Sequence, residues 1–216
     1  MRFSRTWISR LPVSVTASLT GRPRAQIFQV TFREWLSTWG RHRVIPVLVG
    51  QRLPRGEDSR DFIGDQIKDV KNQSVITIFG GTNDFAANRP IGTVKDSVDK
   101  VTTFCGAFKY MVTNLAKQNP QVKFLLITPA KSNHAEWRLY DGDGNLRKNQ
   151  LGNTFIDYVK AVKTIGSYFA IPVLDVFNDG NYNPYLFPNL SLEGLHPNAK
   201  GHERLAKTIA FKINSL

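Results

Sequence analysis

The sequence is poor in cysteine, in acidic residues and in long apolar runs, and each shortage removes a class of protein. Cys105 is the only cysteine among 216 residues, so no internal disulfide can form. No Cys/His cluster has the spacing of a zinc site. No stretch approaches the roughly 18 uninterrupted apolar residues that a spanning helix needs, so no membrane span is expected. Internal repeats, low-complexity tracts and linkers are missing too, and at this length the expectation is one domain over residues 1–216. With 41% hydrophobic and 21% charged residues, the composition is that of an ordinary soluble globular domain.

Acidic residues number 17 against 29 Lys and Arg, a formal net charge of +12, and the excess is unevenly placed. Residues 1–56 hold ten Arg and no Lys against Glu34 alone, a net +9. Such a surface attracts nucleic acid, anionic membrane or an acidic polymer without specificity, and it also occurs as a plain solvated face. No aromatic-basic RNA motif, zinc module or recognition helix accompanies it, so no specific nucleic-acid partner is expected. Met1 to Gly21 has the basic start of an export or organelle signal, but Pro12, Ser14, Thr16 and Ser18 interrupt its apolar part from Leu11 to Leu19. The compartment stays open, with the cytoplasm favoured over secretion.

Short apolar runs alternate with longer stretches of helical period, the pattern of βα units around a parallel sheet. The candidate strands are residues 12–16, 43–49, 74–79, 122–128 and 171–176. Helical periodicity covers residues 26–38, 60–70, 94–118, 149–168 and 198–214. In the third of these, Val94, Val98, Val101, Phe104, Phe108, Val112 and Leu115 form an apolar stripe, and Asn119-Pro120 ends it. The expected fold is α/β: a three-layer α/β/α sandwich with a mostly parallel five-stranded sheet. Loops leaving the strands form the functional edge of such a sheet, and two irregular segments, 129–148 and 177–195, leave strands there.

Two segments carry chemistry. In Glu193-Gly194-Leu195-His196-Pro197-Asn198, a carboxylate three residues before a histidine can hydrogen-bond one ring nitrogen and leave the other to take a proton. The same stretch also reads as a surface turn with Asn198 near a helix start. In the second segment, the apolar run from Val75 to Phe79 breaks into Gly80-Gly81-Thr82-Asn83-Asp84. The glycines let the chain bend at the sheet edge, where the Asn83 amide can donate to an oxyanion; alternatively, Asn83 or Asp84 caps the turn.

Other candidates are weaker. Asp141-Gly142-Asp143-Gly144-Asn145 has Leu146 where a calcium loop needs Gly, and two Asp-Gly steps favour a hairpin turn. His42, His134 and His202 have no spaced carboxylates or cysteines, so surface or helix roles are expected. Trp137, Tyr140, Arg147, Tyr182 and Tyr185 either line a substrate groove or cover the sheet edge as packing.

Together the two chemical segments resemble the SGNH (GDSL-like) hydrolases, whose third block reads Gly-x-Asn-Asp and whose fifth reads Asp-x-x-His followed by Pro. Here they stand as Gly81-Thr82-Asn83-Asp84 and Glu193-Gly194-Leu195-His196-Pro197. The resemblance implies a flavodoxin-like SGNH fold, Asn83 in an oxyanion hole, and His196 as catalytic base oriented by Glu193. It also implies an oxyanion-hole glycine after the second strand, matched by Gly56, with Gly50 as the competing position. The nucleophile of the first block falls on Ser18 in Val15-Thr16-Ala17-Ser18-Leu19-Thr20-Gly21, with Thr16 and Ala17 where the family has Gly and Asp. The implied reaction is attack by Ser18 on an acyl carbonyl, with the N–H groups of Ser18 and Gly56 and the Asn83 amide holding the oxyanion. It needs no metal or organic cofactor. The expected substrate is a small-molecule or carbohydrate ester, with O-acetyl groups of a carbohydrate favoured by the polar, aromatic Asn181 to Tyr185. The reading from another class is a noncatalytic protein of this fold that binds an anionic polymer.

Overall fold

The structure, a computed structural model, describes residues 44–45, 67–68, 70–134 and 139–216. The candidate strand at 12–16 and the candidate helix at 26–38 lie outside the described residues. Among the described residues, four strands make one parallel sheet in chain order: β1 (Val44–Ile45), β2 (Val75–Phe79), β3 (Lys123–Ile127) and β4 (Val173–Leu174). β2 and β3 form its centre, in register from Val75 opposite Lys123 to Phe79 opposite Ile127.

Alternation along these strands sends side chains to two separate cores. Ile76, Ile78 and Leu126 face one side of the sheet, against Phe104, Phe108 and Met111 of α2 (Phe104–Gln118) and Tyr158, Val162 and Ile165 of α3 (Phe155–Phe169). Val75, Leu125, Ile127 and Leu174 face the other, under Phe187 and Leu190 of α4 (Phe187–Leu190) and Leu205, Ile209 and Ile213 of α5 (Ala199–Ile213). Helices on both faces make the three layers of an α/β/α sandwich. A five-residue helix, α1 (Thr82–Ala86), follows β2 directly.

Two helices start later than their apolar period suggests, and local hydrogen bonding explains both. Val94 and Val101 pack on the core from turns, because the Asp96 carboxylate accepts the Thr93 N–H (3.2 Å) and the Thr103 hydroxyl (2.8 Å) and closes the segment into a loop. Lys109 holds that loop by donating to the carbonyls of Val94 (2.9 Å) and Asp96 (2.6 Å). Helix α2 begins only after Thr103, whose hydroxyl accepts the Gly106 N–H (3.2 Å) as an N-cap. Likewise Asn149 Oδ1 accepts the N–H groups of Leu151 and Asn153 (both 3.1 Å), so α3 waits for the Thr154/Asp157 capping box. Asn198 caps α5 by accepting the Gly201 N–H (3.1 Å), one residue from the start its periodicity suggests.

Candidate functional site

The carboxyl ends of β2, β3 and β4 feed three loops at one edge of the sheet. The β2 exit turns through Gly81, where φ is 120°, a conformation that side chains other than hydrogen rarely adopt. A Cβ at Gly81 would lie 2.6 Å from Cγ of Pro129, so the β2 exit packs directly on the β3 exit. Gly81 stands at the N-cap of α1 with no side chain of its own to cap the helix, and Asn83 is the second residue of that helix. Three contacts pin the C-terminal end of α1. Asn149 Nδ2 donates to the Phe85 carbonyl (3.3 Å), the Gln150 N–H to Asn88 Oδ1 (2.7 Å), and the Tyr158 hydroxyl to the Arg89 carbonyl. Tyr158 is pushed up to about 12, first by burial, with the fully buried Asp84 nearby adding to the effect, so its phenol stays a donor.

The second half of the site lies between α4 and α5. There the chain folds back on itself, Ser191 pairing with Pro197 and the Leu192 N–H donating to the His196 carbonyl (2.8 Å). The turn brings Glu193 Oε1 onto Nδ1 of His196. His196 is 47% exposed and Glu193 30%, so the ring reaches solvent while the carboxylate sits behind it. The other oxygen, Oε2 of Glu193, is buried with no hydrogen-bond partner among the described residues. A carboxylate on Nδ1 favours the proton on that nitrogen, which makes Nε2 the ring nitrogen able to accept one.

Two neighbours set the electrostatics of this pair. His202, one turn into α5, is lowered to about 4, chiefly by burial and further by His196, so near neutral pH it brings no second positive charge to the site. Tyr182 is pushed up to about 12 by burial; the Ser191 hydroxyl offsets part of this and the charge of Glu193 adds to it. Tyr182 is 2% exposed and packs on Phe187 with ring centroids 4.9 Å apart, so it belongs to the core and not to a substrate groove. Tyr185 and Tyr140 do reach solvent, at 94% and 50% exposure, while Trp137 lies outside the described residues. Arg147 is half-buried, its N–H on the Leu139 carbonyl (3.0 Å). The Asp141 to Asn145 stretch is the tight hairpin, Tyr140 pairing with Leu146 and Asp141 Oδ1 accepting the N–H groups of Asp143 (3.0 Å) and Asn145 (2.9 Å).

Of the five residues singled out from the sequence, Glu193 and His196 meet, and Asn83 lies at the same sheet edge on the β2 exit. Ser18 and Gly56, together with the competing Gly50, lie outside the described residues. Sequence reasoning placed the segment 129–148 at this edge but singled out neither Pro129 nor Ser132 nor Asn133, through which the β3 exit loop touches both halves. It meets the β2 exit through Pro129 and the histidine loop through Ser132 and Asn133, which bond to Gly194. Its single sequence signal is its place after a central strand. Among the described residues no group of His, Cys, Asp and Glu is arranged to hold a metal ion, and no helix is long and apolar enough to cross a membrane.

Comparison with known proteins bears on this edge. The GDSL-like lipase/acylhydrolase family matches residues 48–204, a span that contains Gly56, Asn83, Glu193 and His196 and begins after Ser18. No curated protein matches the chain. Among solved structures, a Lactobacillus plantarum protein is 26% identical at a TM-score of 0.62, covering 75% of this chain and 76% of that one. A possible lipase from Chitinophaga pinensis is 25% identical at 0.56, covering 71% and 77%. The lipase/acylhydrolase from Enterococcus faecalis, 21% identical at 0.55 and covering 90% and 86%, shares the fold. The family match takes in most of the sequence, including both chemical segments at the sheet edge, and the chain belongs to the GDSL-like lipase/acylhydrolase family.

Proposed function

We propose that the protein is a serine esterase that removes acyl or O-acetyl groups, with His196 as general base. The observation that carries this reading is the Glu193 carboxylate on Nδ1 of His196, which leaves Nε2 to accept a proton. In the proposed reaction the Ser18 hydroxyl adds to the ester carbonyl and its proton passes to Nε2, while Glu193 stabilises the imidazolium. The Asn83 amide and the N–H groups of Ser18 and Gly56 receive the oxyanion. Collapse of the tetrahedral intermediate expels the alcohol with the proton from His196. Water, activated by the same ring, then releases the acid and restores Ser18.

The substrate class we favour is an acetylated carbohydrate. Tyr185 presents an almost fully exposed aromatic face, and the segment around it, Asn181 to Pro184, is polar, a combination suited to a sugar ring. Hydrolysis of p-nitrophenyl acetate by the purified protein, with fluorophosphonate labelling read by peptide mass spectrometry, tests the reading. Label on Ser18, lost together with turnover in Ser18→Ala, is the expected result. Label on another serine would move the nucleophile; the absence of both turnover and label would favour the polymer-binding alternative.

A further inference from the structure

We propose that Ser132 and Ser191 are positioning residues that clamp the two peptide groups of Gly194 and thereby set Glu193 against His196. This rests on the hydrolase reading above, and it concerns how the proposed acid–base pair is held. Gly194 lies between the two, so its N–H belongs to the peptide that follows Glu193 and its carbonyl to the peptide that leads toward His196. The N–H donates to Ser191 Oγ (2.6 Å). The carbonyl accepts from Ser132 Oγ (3.1 Å) and from the Asn133 N–H (3.0 Å). Ser132 Oγ in turn accepts the His134 N–H (3.2 Å), which leaves its proton aimed at Gly194.

Both hydroxyls are buried, Ser132 at 6% and Ser191 at 7% exposure, where a hydrogen bond is not exchanged with water. Ser132 comes from the β3 exit, 62 residues earlier, so the clamp ties the turn to the sheet and not only to itself. Gly194 has φ of 84°, and a Cβ there would run into Asn133 Oδ1, so the turn sits flush against the β3 exit loop. A carboxylate and an imidazole three residues apart are separated by several free backbone torsions. Fixing both peptides at the midpoint removes most of that freedom before substrate arrives, the condition under which a base works at full efficiency.

The test uses the full-length protein and two readouts. One is kcat and KM for p-nitrophenyl acetate; the other is the downfield proton resonance of His196 Nδ1–H, which reports its contact with Glu193 whether or not ester is turned over. Ser132→Ala and Ser191→Ala, each removing one of the clamp's anchors, are expected to lower kcat about tenfold at unchanged KM, a fraction of the roughly 10² that misplacement by a full ångström is worth. Each should also shift or broaden the resonance, and Ser132→Thr should restore both readouts. A resonance and kcat unchanged in the two alanine variants would overturn the clamp. If Ser132→Ala fails to fold, Ser191→Ala reads the same clamp from its other side. If the wild type shows the resonance but cleaves no ester, the hydrolase reading fails, while the response of the resonance in the variants still decides the clamp.

Discussion

Replacing Gly81 by alanine puts a methyl group where the β2 and β3 exits meet, and its cost can be worked out in two parts. The backbone part comes from φ of 120°, a region that non-glycine residues enter at about 1 to 3 kcal/mol. The packing part comes from the Cβ lying 2.6 Å from Cγ of Pro129, a ring that cannot swing aside as a flexible side chain would. Overpacking of this kind costs about 1 to 3 kcal/mol. A total of about 2 to 6 kcal/mol corresponds to a fall in Tm of roughly 4 to 24 °C for a chain this long. Two other glycines separate the parts. Gly144, with φ of 81° and nothing within 4 Å of its Cβ position, should lose only about 1 kcal/mol on change to alanine; Gly142, equally open, should lose nothing measurable. Urea unfolding of the three variants measures the series. If Gly81→Ala costs no more than Gly144→Ala, the contact with Pro129 is not rigid and the packing argument is wrong. Esterase activity of folded Gly81→Ala should fall as well, because displacement of α1 carries Asn83 with it.

Asn83→Ala should lower kcat by about 10² to 10³ with little change in urea midpoint, the cost of one oxyanion donor; lost stability with retained activity per folded molecule would make Asn83 a structural residue. For Glu193→Gln, steady-state kinetics should show a kcat loss on the order of 10⁴, because an amide no longer selects the productive tautomer of His196. Unchanged turnover would make Glu193 a mere neighbour. His202 titrates near 4 in the folded protein and near 6.5 when unfolded, so below pH 6.5 the unfolded chain binds the proton that the folded one refuses. Stability is therefore fully present above pH 6.5 and should decline by up to about 1.4 kcal/mol per pH unit between there and pH 4. His202→Gln should flatten that slope in urea titrations at pH 7 and pH 5, and an equally steep slope in the variant would assign it to other groups.

Strands β2 and β3 and helix α5 lie within one residue of where apolar pattern alone predicts them, because their periods are uninterrupted and their ends are marked by Gly, Asn or Pro. The start of α2 was not legible, since Val94, Val98 and Val101 keep helical spacing while Asp96 bends the chain through side-chain hydrogen bonds that no period records. Helix α1 is too short to show a period. In the site, the Glu193/His196 pair was readable because a spacing of three residues is local and can be judged from sequence. Its anchoring was not, because Ser132 and Gly194 are 62 residues apart and a serine in an irregular loop carries no signature. From sequence Tyr182 read equally as groove lining or as packing, and burial against Phe187 decides for packing. The nucleophile's surroundings rest on the family resemblance alone.

The sheet divides the interior into two cores, and they are completed at different times as the chain emerges during synthesis. Strands β2 and β3 together with α2, α3 and Phe177 can close the first by residue 177, but the second stays open until Leu205, Ile209 and Ile213 of α5 lie down over Leu125 and Ile127. His196 sits three residues before that helix begins. The proposed base is therefore delivered by the same segment that seals the last apolar face. On the proposed function, a chain cut short within α5 would leave that face uncovered and the base unsupported, and turnover would report that the final face has closed.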